Sequence, residues 1–293
     1  MVRLAGLPTW RLQPVWVRIS STLDGHQQRD HPQFAFEERR MDTGLKGKLV
    51  LVTGGAAGLG RAIARAFAEQ GANLILVDIN EQGLADTSGE ISNLGVSCET
   101  HKLDLSVEND IKAFGAKICA EHDTLDVLIN NAGLAYGEIA QGFEHLSLEK
   151  WLSFLTINSI APLILGQALR PALSRARGII INQSSMAANV PATAYGVTKA
   201  TLNSITFGMA SQFGADGIRV NAVEPGIMET PANKAGLPDE TYKRVQGMQL
   251  LPLHGTADDI ANLHVFLASK QGRFINNEIV LCDAGNRLRG WRH

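Results

Sequence analysis

The chain has 293 residues, 45% of them hydrophobic and 19% charged, with a formal net charge of -2, a length that suits one large α/β domain or two small ones. Near-neutral charge argues against nucleic acid or an anionic membrane surface as a general partner, and no apolar run reaches bilayer-spanning length. Cys98, Cys119 and Cys282 show neither CxxC nor metal-ligand spacing, so neither a disulfide nor a metal is expected and the chain is placed in a reducing compartment, the cytoplasm.

Residues 1–44 read as an N-terminal extension. Arg3, Arg11 and Arg18, with no acid before Asp24, weakly resemble an organelle transit segment; the plainer reading is a dispensable extension ahead of a natural beginning at Met41. From Leu49 onward, short apolar runs alternate with helical periods, the pattern of βα units on a parallel sheet. Strands are predicted at 49–53, 74–78, 99–103, 127–130, 178–183, 219–223 and 278–282, and helices at 61–69, 107–121, 148–170, 194–213 and 257–268. Continuous runs such as LVLV and GIII predict central strands buried on both faces. The result is a doubly wound α/β sheet in a single domain over 45–285, with a ligand at the carboxyl ends of its strands and a short tail over 286–293.

TGGAAGLG, residues 53–60, falls where the first strand turns into the first helix. Gly54, Gly58 and Gly60 permit a tight turn and close backbone approach, and the helix N-terminus offers unpaired N–H groups to a diphosphate. Many turns need glycine for steric reasons alone, but the position after a β-branched run favours the phosphate reading. Asp78 ends the second strand. Its carboxylate suits the two hydroxyls of an adenosine ribose and repels a 2′-phosphate; alternatively Asp78 or Asn80 caps the helix that begins at EQGLADT. No arginine or lysine stands at Ala56, Ala57 or Ile79, so NAD is expected rather than NADP.

Further along, INQSSMAANVPATAYGVTK spans 181–199 and ends in Tyr195 and Lys199, one helical turn apart on one face. An ammonium beside a phenol favours the phenolate. Lowering a phenol by about three units takes about 4 kcal/mol, so partial burial and a cationic nicotinamide ring are expected to assist the lysine. By itself the spacing is common, and most such pairs are solvated helix faces.

Taken together, TGGAAGLG, Asp78, NNAG at 130–133, Asn158, the serine pair, YGVTK and RVNAVEPGIMET at 219–230 resemble the short-chain dehydrogenase/reductase family over residues 45–285. The resemblance implies a Rossmann-like, seven-stranded domain, a nicotinamide cofactor, and reversible oxidation of an alcohol to a carbonyl. It implies that Tyr195 is the general acid/base, that Lys199 tunes it and binds the nicotinamide ribose, and that Asn158 holds a water linking the lysine to solvent. Gly54, Gly58, Leu59 and Gly60 would form the diphosphate turn. Asp104 would reach the adenine, unless it caps the next helix, and Leu105 would add a backbone contact. Asn131 would brace the central strand, with Ala132 and Gly133 admitting the cofactor. Pro225 and Gly226 would position the nicotinamide, with Met228 and Thr230 on its carboxamide or phosphate side.

The family's serine is the second of the pair, Ser185; strand alternation turns Ser184 the other way. The loop MAANVPATA is shorter than usual, which reshapes the wall beside the substrate. CDAGN replaces a double-glycine ending, and the tail with Arg287, Arg289 and Trp291 is expected to contribute to assembly. Leu237, Met248, Leu250 and Leu251 suggest an apolar lid, and no arginine cluster advertises an acidic substrate. A neutral, hydrophobic or cyclic alcohol or ketone follows. The competing readings are a 3-oxoacyl thioester reductase, which normally prefers NADPH and so conflicts with Asp78, and a catalytically idle nucleotide-binding scaffold. Family habit adds a homotetramer, with the helices near 107–121, 148–170 and 194–213 as interface elements.

Overall fold

The structure is a computed structural model, and it describes residues 42–230 and 236–287. The expectations for residues 1–41 and for Arg289 and Trp291 lie outside the described residues. Seven strands, β1 (Leu49–Thr53), β2 (Asn73–Asp78), β3 (Cys98–Lys102), β4 (Val127–Asn130), β5 (Ile179–Gln183), β6 (Arg219–Pro225) and β7 (Ile279–Cys282), form one sheet in the order β3-β2-β1-β4-β5-β6-β7. Every pairing is parallel. The helices are α1 (Gly58–Glu69), α2 (Glu81–Ser92), α3 (Glu108–Glu121), α4 (Leu148–Leu155), α5 (Ala161–Ala176), α6 (Ala194–Phe213), α7 (Asp239–Gln246) and α8 (Ala257–Ala268).

Strand alternation explains why two helical layers form. In β1, Val50 and Val52 face a core built with Ile63 and Phe67 of α1 and Ile260 and Leu267 of α8. Leu51 faces the opposite core with Ile111 and Phe114 of α3, Leu165 and Leu169 of α5, and Phe213 of α6. All seven strands point their carboxyl ends to one edge. Strand order reverses between β1 and β4, which opens the crevice where a doubly wound sheet binds its ligand.

The domain begins earlier and ends later than expected. Leu45 is buried, the Lys270 amide donates to the Thr43 carbonyl, and the Lys270 ammonium meets Asp42. At the other end Asn286 donates to Val245 O at 2.8 Å, and the Arg287 amide donates to Met248 O. The region expected as one helix over 148–170 is α4 and α5 joined by a π turn at Thr156–Ile160. By length and composition this run, Leu148–Ala176, is apolar enough to cross a membrane, contrary to the expectation. Leu165, Leu169 and Leu173 nonetheless pack into the sheet's core.

Candidate active site

The glycine turn holds its shape through backbone conformations that side chains resist. Gly54 has φ +70°, and a Cβ on Gly60 would lie 2.0 Å from Gly54 O. Gly54 N donates to Val77 O at 2.7 Å, tying the turn to β2. No side chain caps α1 and its first turn holds no acid, which leaves its terminal N–H groups and positive dipole end for an anion. Gly58, at φ +55°, borders open space. These features fit a dinucleotide diphosphate.

From the other side of the switch point, Asn131 Nδ2 donates to Thr53 O at 3.0 Å, and the Thr53 hydroxyl accepts from the amides of Asn131 and Ala132. Buried Thr53 is thus a brace that the sequence reading did not single out. Asp78 accepts from Ala56 N at 3.1 Å through one oxygen and from Asn80 N at 3.0 Å through the other. Its carboxylate is fixed against the glycine turn and does not cap α2; that cap is Asn80, which accepts from Gly83 N. Asp104 does not cap α3 either, since Val107 holds that position. It accepts from Ser106 N at 2.8 Å, and hydrogen bonds from the Ser106 side chain and backbone hold its carboxyl below the usual range. Leu105 packs on the α3–α5 core.

A cavity of about 600 Å³ continues from this turn. Gly58, Leu59, Asn131, Gly133, Ser185, Tyr195, Lys199, Pro225, Gly226, Met228 and Thr230 all line it, so most of the expected site residues converge on one space. Gly54, Gly60, Asp78, Asp104, Leu105, Ala132 and Asn158 lie outside that lining.

Thr193 caps α6 by accepting from Gly196 N, which starts the helix immediately before Tyr195. A Cβ on Gly196 would meet Ala187 O at 2.8 Å and Pro191 Cα at 2.9 Å, so this glycine admits the short wall loop against the helix. The Ser185 hydroxyl accepts from Ala187 N at 3.2 Å and lies near enough to the Tyr195 phenol to act on it. Ser184 points away, donating to Lys199 O at 3.3 Å. Lys199 is buried, donates to Gln183 O at 2.6 Å, and places Nζ 5.7 Å from the Tyr195 ring centroid.

Tyr195 is half-buried on the cavity wall, and burial pushes its phenol up to about 12, with Ser185 acting in the opposite direction. Burial also lowers Lys199 to about 8. The ammonium spends its contact on a carbonyl, so desolvation outweighs its pull on the phenol. The Asn158 side chain is fully bonded: its Oδ1 accepts from Leu134 N at 2.7 Å, and its Nδ2 donates to Leu134 O and Thr198 Oγ1. It pins the strand exit to α6 and sits in the π turn, a distortion frequent at functional sites.

The lid also differs from expectation. Leu237, Thr241, Arg244 and Val245 line the cavity. Leu250 and Leu251 instead bond through their amides to Ala284 O and remain largely exposed, and Met248 is not in the lining.

Residues 54–287 match the family model described as Enoyl-(Acyl carrier protein) reductase. The chain belongs to the short-chain dehydrogenase/reductase family. Among the similar members of this family, 2-dehydro-3-deoxy-D-gluconate 5-dehydrogenase of Bacillus subtilis is 34% identical over 247 residues, 82% of this chain and 95% of that one. The 3-oxoacyl-(acyl-carrier-protein) reductase FabG of Thermotoga maritima is 30% identical over 245 residues, 82% of this chain and 98% of that one. The crystal structure of L-sorbose reductase from Gluconobacter frateurii, complexed with NADPH and L-sorbose, superposes with a TM-score of 0.76 at 26% identity, covering 84% of this chain and 98% of that one. Family membership makes this chain an oxidoreductase with a nicotinamide cofactor.

Proposed function

We propose that the protein is an NAD-dependent oxidoreductase that interconverts a secondary alcohol and a ketone, with Tyr195 as general acid/base. The observation that carries this reading is the Ser185–Tyr195–Lys199 group on the wall of a cavity that opens onto the glycine turn. The cofactor accepts or supplies hydride at its nicotinamide ring when bound. In the reducing direction the protonated Tyr195 hydroxyl donates to the substrate oxygen, Ser185 hydrogen-bonds that same oxygen, and Lys199 supports the charge left on the phenol.

Asp78 supports NAD. Its carboxylate stands at the end of β2 where a 2′-phosphate would have to approach, and two nearby cations are engaged: Arg61 with Glu90 and Lys102 with Glu81. The NADPH-bound L-sorbose reductase and the FabG relative are the reasons to test both cofactors. Leu134, Met186, Val190, Leu237 and Val245 give the cavity an apolar body, which supports a carbon-rich substrate skeleton. For assembly we propose a homotetramer, supported by the exposed Leu148 and Leu152 of α4 and Phe207 of α6; a monomer mass by light scattering would refute it.

The functional test is a screen of purified protein with NAD and a panel of secondary alcohols, followed by NADH absorbance, with the same panel run on NADP. Turnover with NAD is expected. Turnover confined to NADP would overturn the cofactor assignment, and no turnover with intact NADH binding would favour an idle nucleotide-binding scaffold.

A further inference from the structure

The cavity's charges are one-sided. Among the described residues, Lys199 and Arg244 line it and no aspartate or glutamate does. Lys199 is buried and committed to Gln183 O. Arg244, in the last turn of α7, is exposed at the rim and forms no ion pair or hydrogen bond among the described residues. Arg65 pairs with Asp258, Arg170 with Asp216 and Arg175 with Asp123, while Arg177 and Arg273, exposed like Arg244 and without a side-chain ion pair among the described residues, lie outside the cavity lining.

A second polar group lies in the same wall. Gln183 is 4% exposed, yet both atoms of its side-chain amide lack a hydrogen-bond partner. It ends β5 two residues before Ser185, whose backbone is still extended, so the two side chains leave the chain on the same side. A buried amide without partners is costly, and an apolar residue of similar size would fill the space without that cost. The Tyr136 and Thr230 hydroxyls, paired with each other, and the Thr193 and Thr241 side chains add to this polar lining.

We infer that the substrate is a hydroxy or keto acid, its carboxylate held by Arg244 at the lid while its reacting carbon lies against Ser185 and Tyr195. A guanidinium presents the planar fork that a carboxylate matches with two hydrogen bonds. This inference rests on the oxidoreductase reading and amends the neutral substrate expected from the sequence. Its anionic partner could come from two sources, the substrate's carboxylate or the cofactor's diphosphate. The structure favours the substrate, because Arg244 shares α7 with the wall residues Thr241 and Val245, whereas the diphosphate fits the glycine turn at the start of α1.

The test uses the full chain loaded with NADH, so that reduced probes bind without turning over. Isothermal titration compares lactate, 3-hydroxybutyrate and gluconate with 1,2-propanediol, 2-butanol and sorbitol, in wild type and Arg244→Met. At least one acid should bind wild type tenfold or more tightly than its neutral counterpart, and Arg244→Met should erase that preference while leaving the neutral probe and NADH affinity within twofold. Equal binding of acid and neutral partners by wild type overturns the inference. So does a loss of NADH affinity in Arg244→Met, which would assign the cation to the cofactor. Wild type that does not bind NADH at all would instead refute the oxidoreductase reading itself. Thermal melts of Arg244→Met, and of Arg244→Lys as a charge-keeping second variant, verify folding; Arg244→Lys should retain part of the preference.

Discussion

Glu224 stands inside the RVNAVEPG stretch with no exposed surface. One carboxylate oxygen accepts from Asn203 Nδ2 of α6 at 2.6 Å, and the other from Asn189 Nδ2 at 2.6 Å. Asn189 ends the short turn whose Met186 and Ala187 form the cavity wall. Glu224 therefore clips that wall to both the sheet and the helix bearing Tyr195. Glu224→Ala leaves the half-buried Asn203 donor unpaired, at about 1–3 kcal/mol, and opens a void besides, while the exposed Asn189 keeps Met186 O and water as partners. A loss of about 4 kcal/mol is expected, a large share of the ~5–15 kcal/mol that a domain has in total. Glu224→Gln should cost about 1–2 kcal/mol, because Asn203 Oδ1 is buried without a partner and a flip of that amide lets it accept from the new N–H. Urea unfolding followed by circular dichroism reads both. A Glu224→Ala loss below about 1 kcal/mol, or Glu224→Gln as damaging as Glu224→Ala, would refute the clip.

Three further outcomes follow from the same geometry. Gly60→Ala forces a Cβ to within 2.0 Å of Gly54 O and 2.7 Å of Asn131 Nδ2; NADH binding should weaken at least about tenfold, the ~1.4 kcal/mol of one lost contact, and fluorescence titration showing unchanged affinity would contradict the cradle. Asp78→Ala removes the acceptor of the Ala56 and Asn80 amides and the charge facing a 2′-phosphate. The NADPH-to-NADH affinity ratio should rise about tenfold or more, and a wild type that already prefers NADPH would defeat the assignment. Lys199 gives a pH signature. Its folded value of about 8 lies below the ordinary 10.5, so between these values the unfolded chain holds a proton that the folded chain has released, and stability rises with pH. From pH 8 to 9.5 wild type should gain about 2 kcal/mol relative to Lys199→Met. Tyr195, raised from 10 to about 12, contributes the opposite slope only above pH 10, outside this window; urea melts showing no relative gain would contradict the buried ammonium.

The strands and most helices were legible because a sheet buried on both faces writes itself as apolar runs, and its helices as 3.6-residue periods. The glycine turn and the Tyr195–Lys199 spacing were legible for the same reason: backbone conformation and helix geometry restrict which residues serve. Features that depend on contacts distant in sequence were not. The π turn at Thr156–Ile160 leaves no periodic mark, and only the backbone hydrogen bonding of the folded helix reveals it. Asp78 versus Asn80 as the cap of α2 could not be settled by residue type, since both suit the position. The phenol's upward shift needed the burial of Tyr195 against the cavity wall and the carbonyl that takes the lysine's contact. Glu224 looked like one polar residue in a strand, and Arg244 like one exposed cation on a lid helix.

The central claim is that Tyr195 transfers the proton in a nicotinamide-dependent reaction. Its most direct measurement is Tyr195→Phe, which deletes the hydroxyl beside Ser185 and keeps the ring. Turnover of whichever alcohol the panel identifies should fall by about 10²–10⁴, with NADH affinity close to wild type. Turnover within a few-fold of wild type would contradict the account.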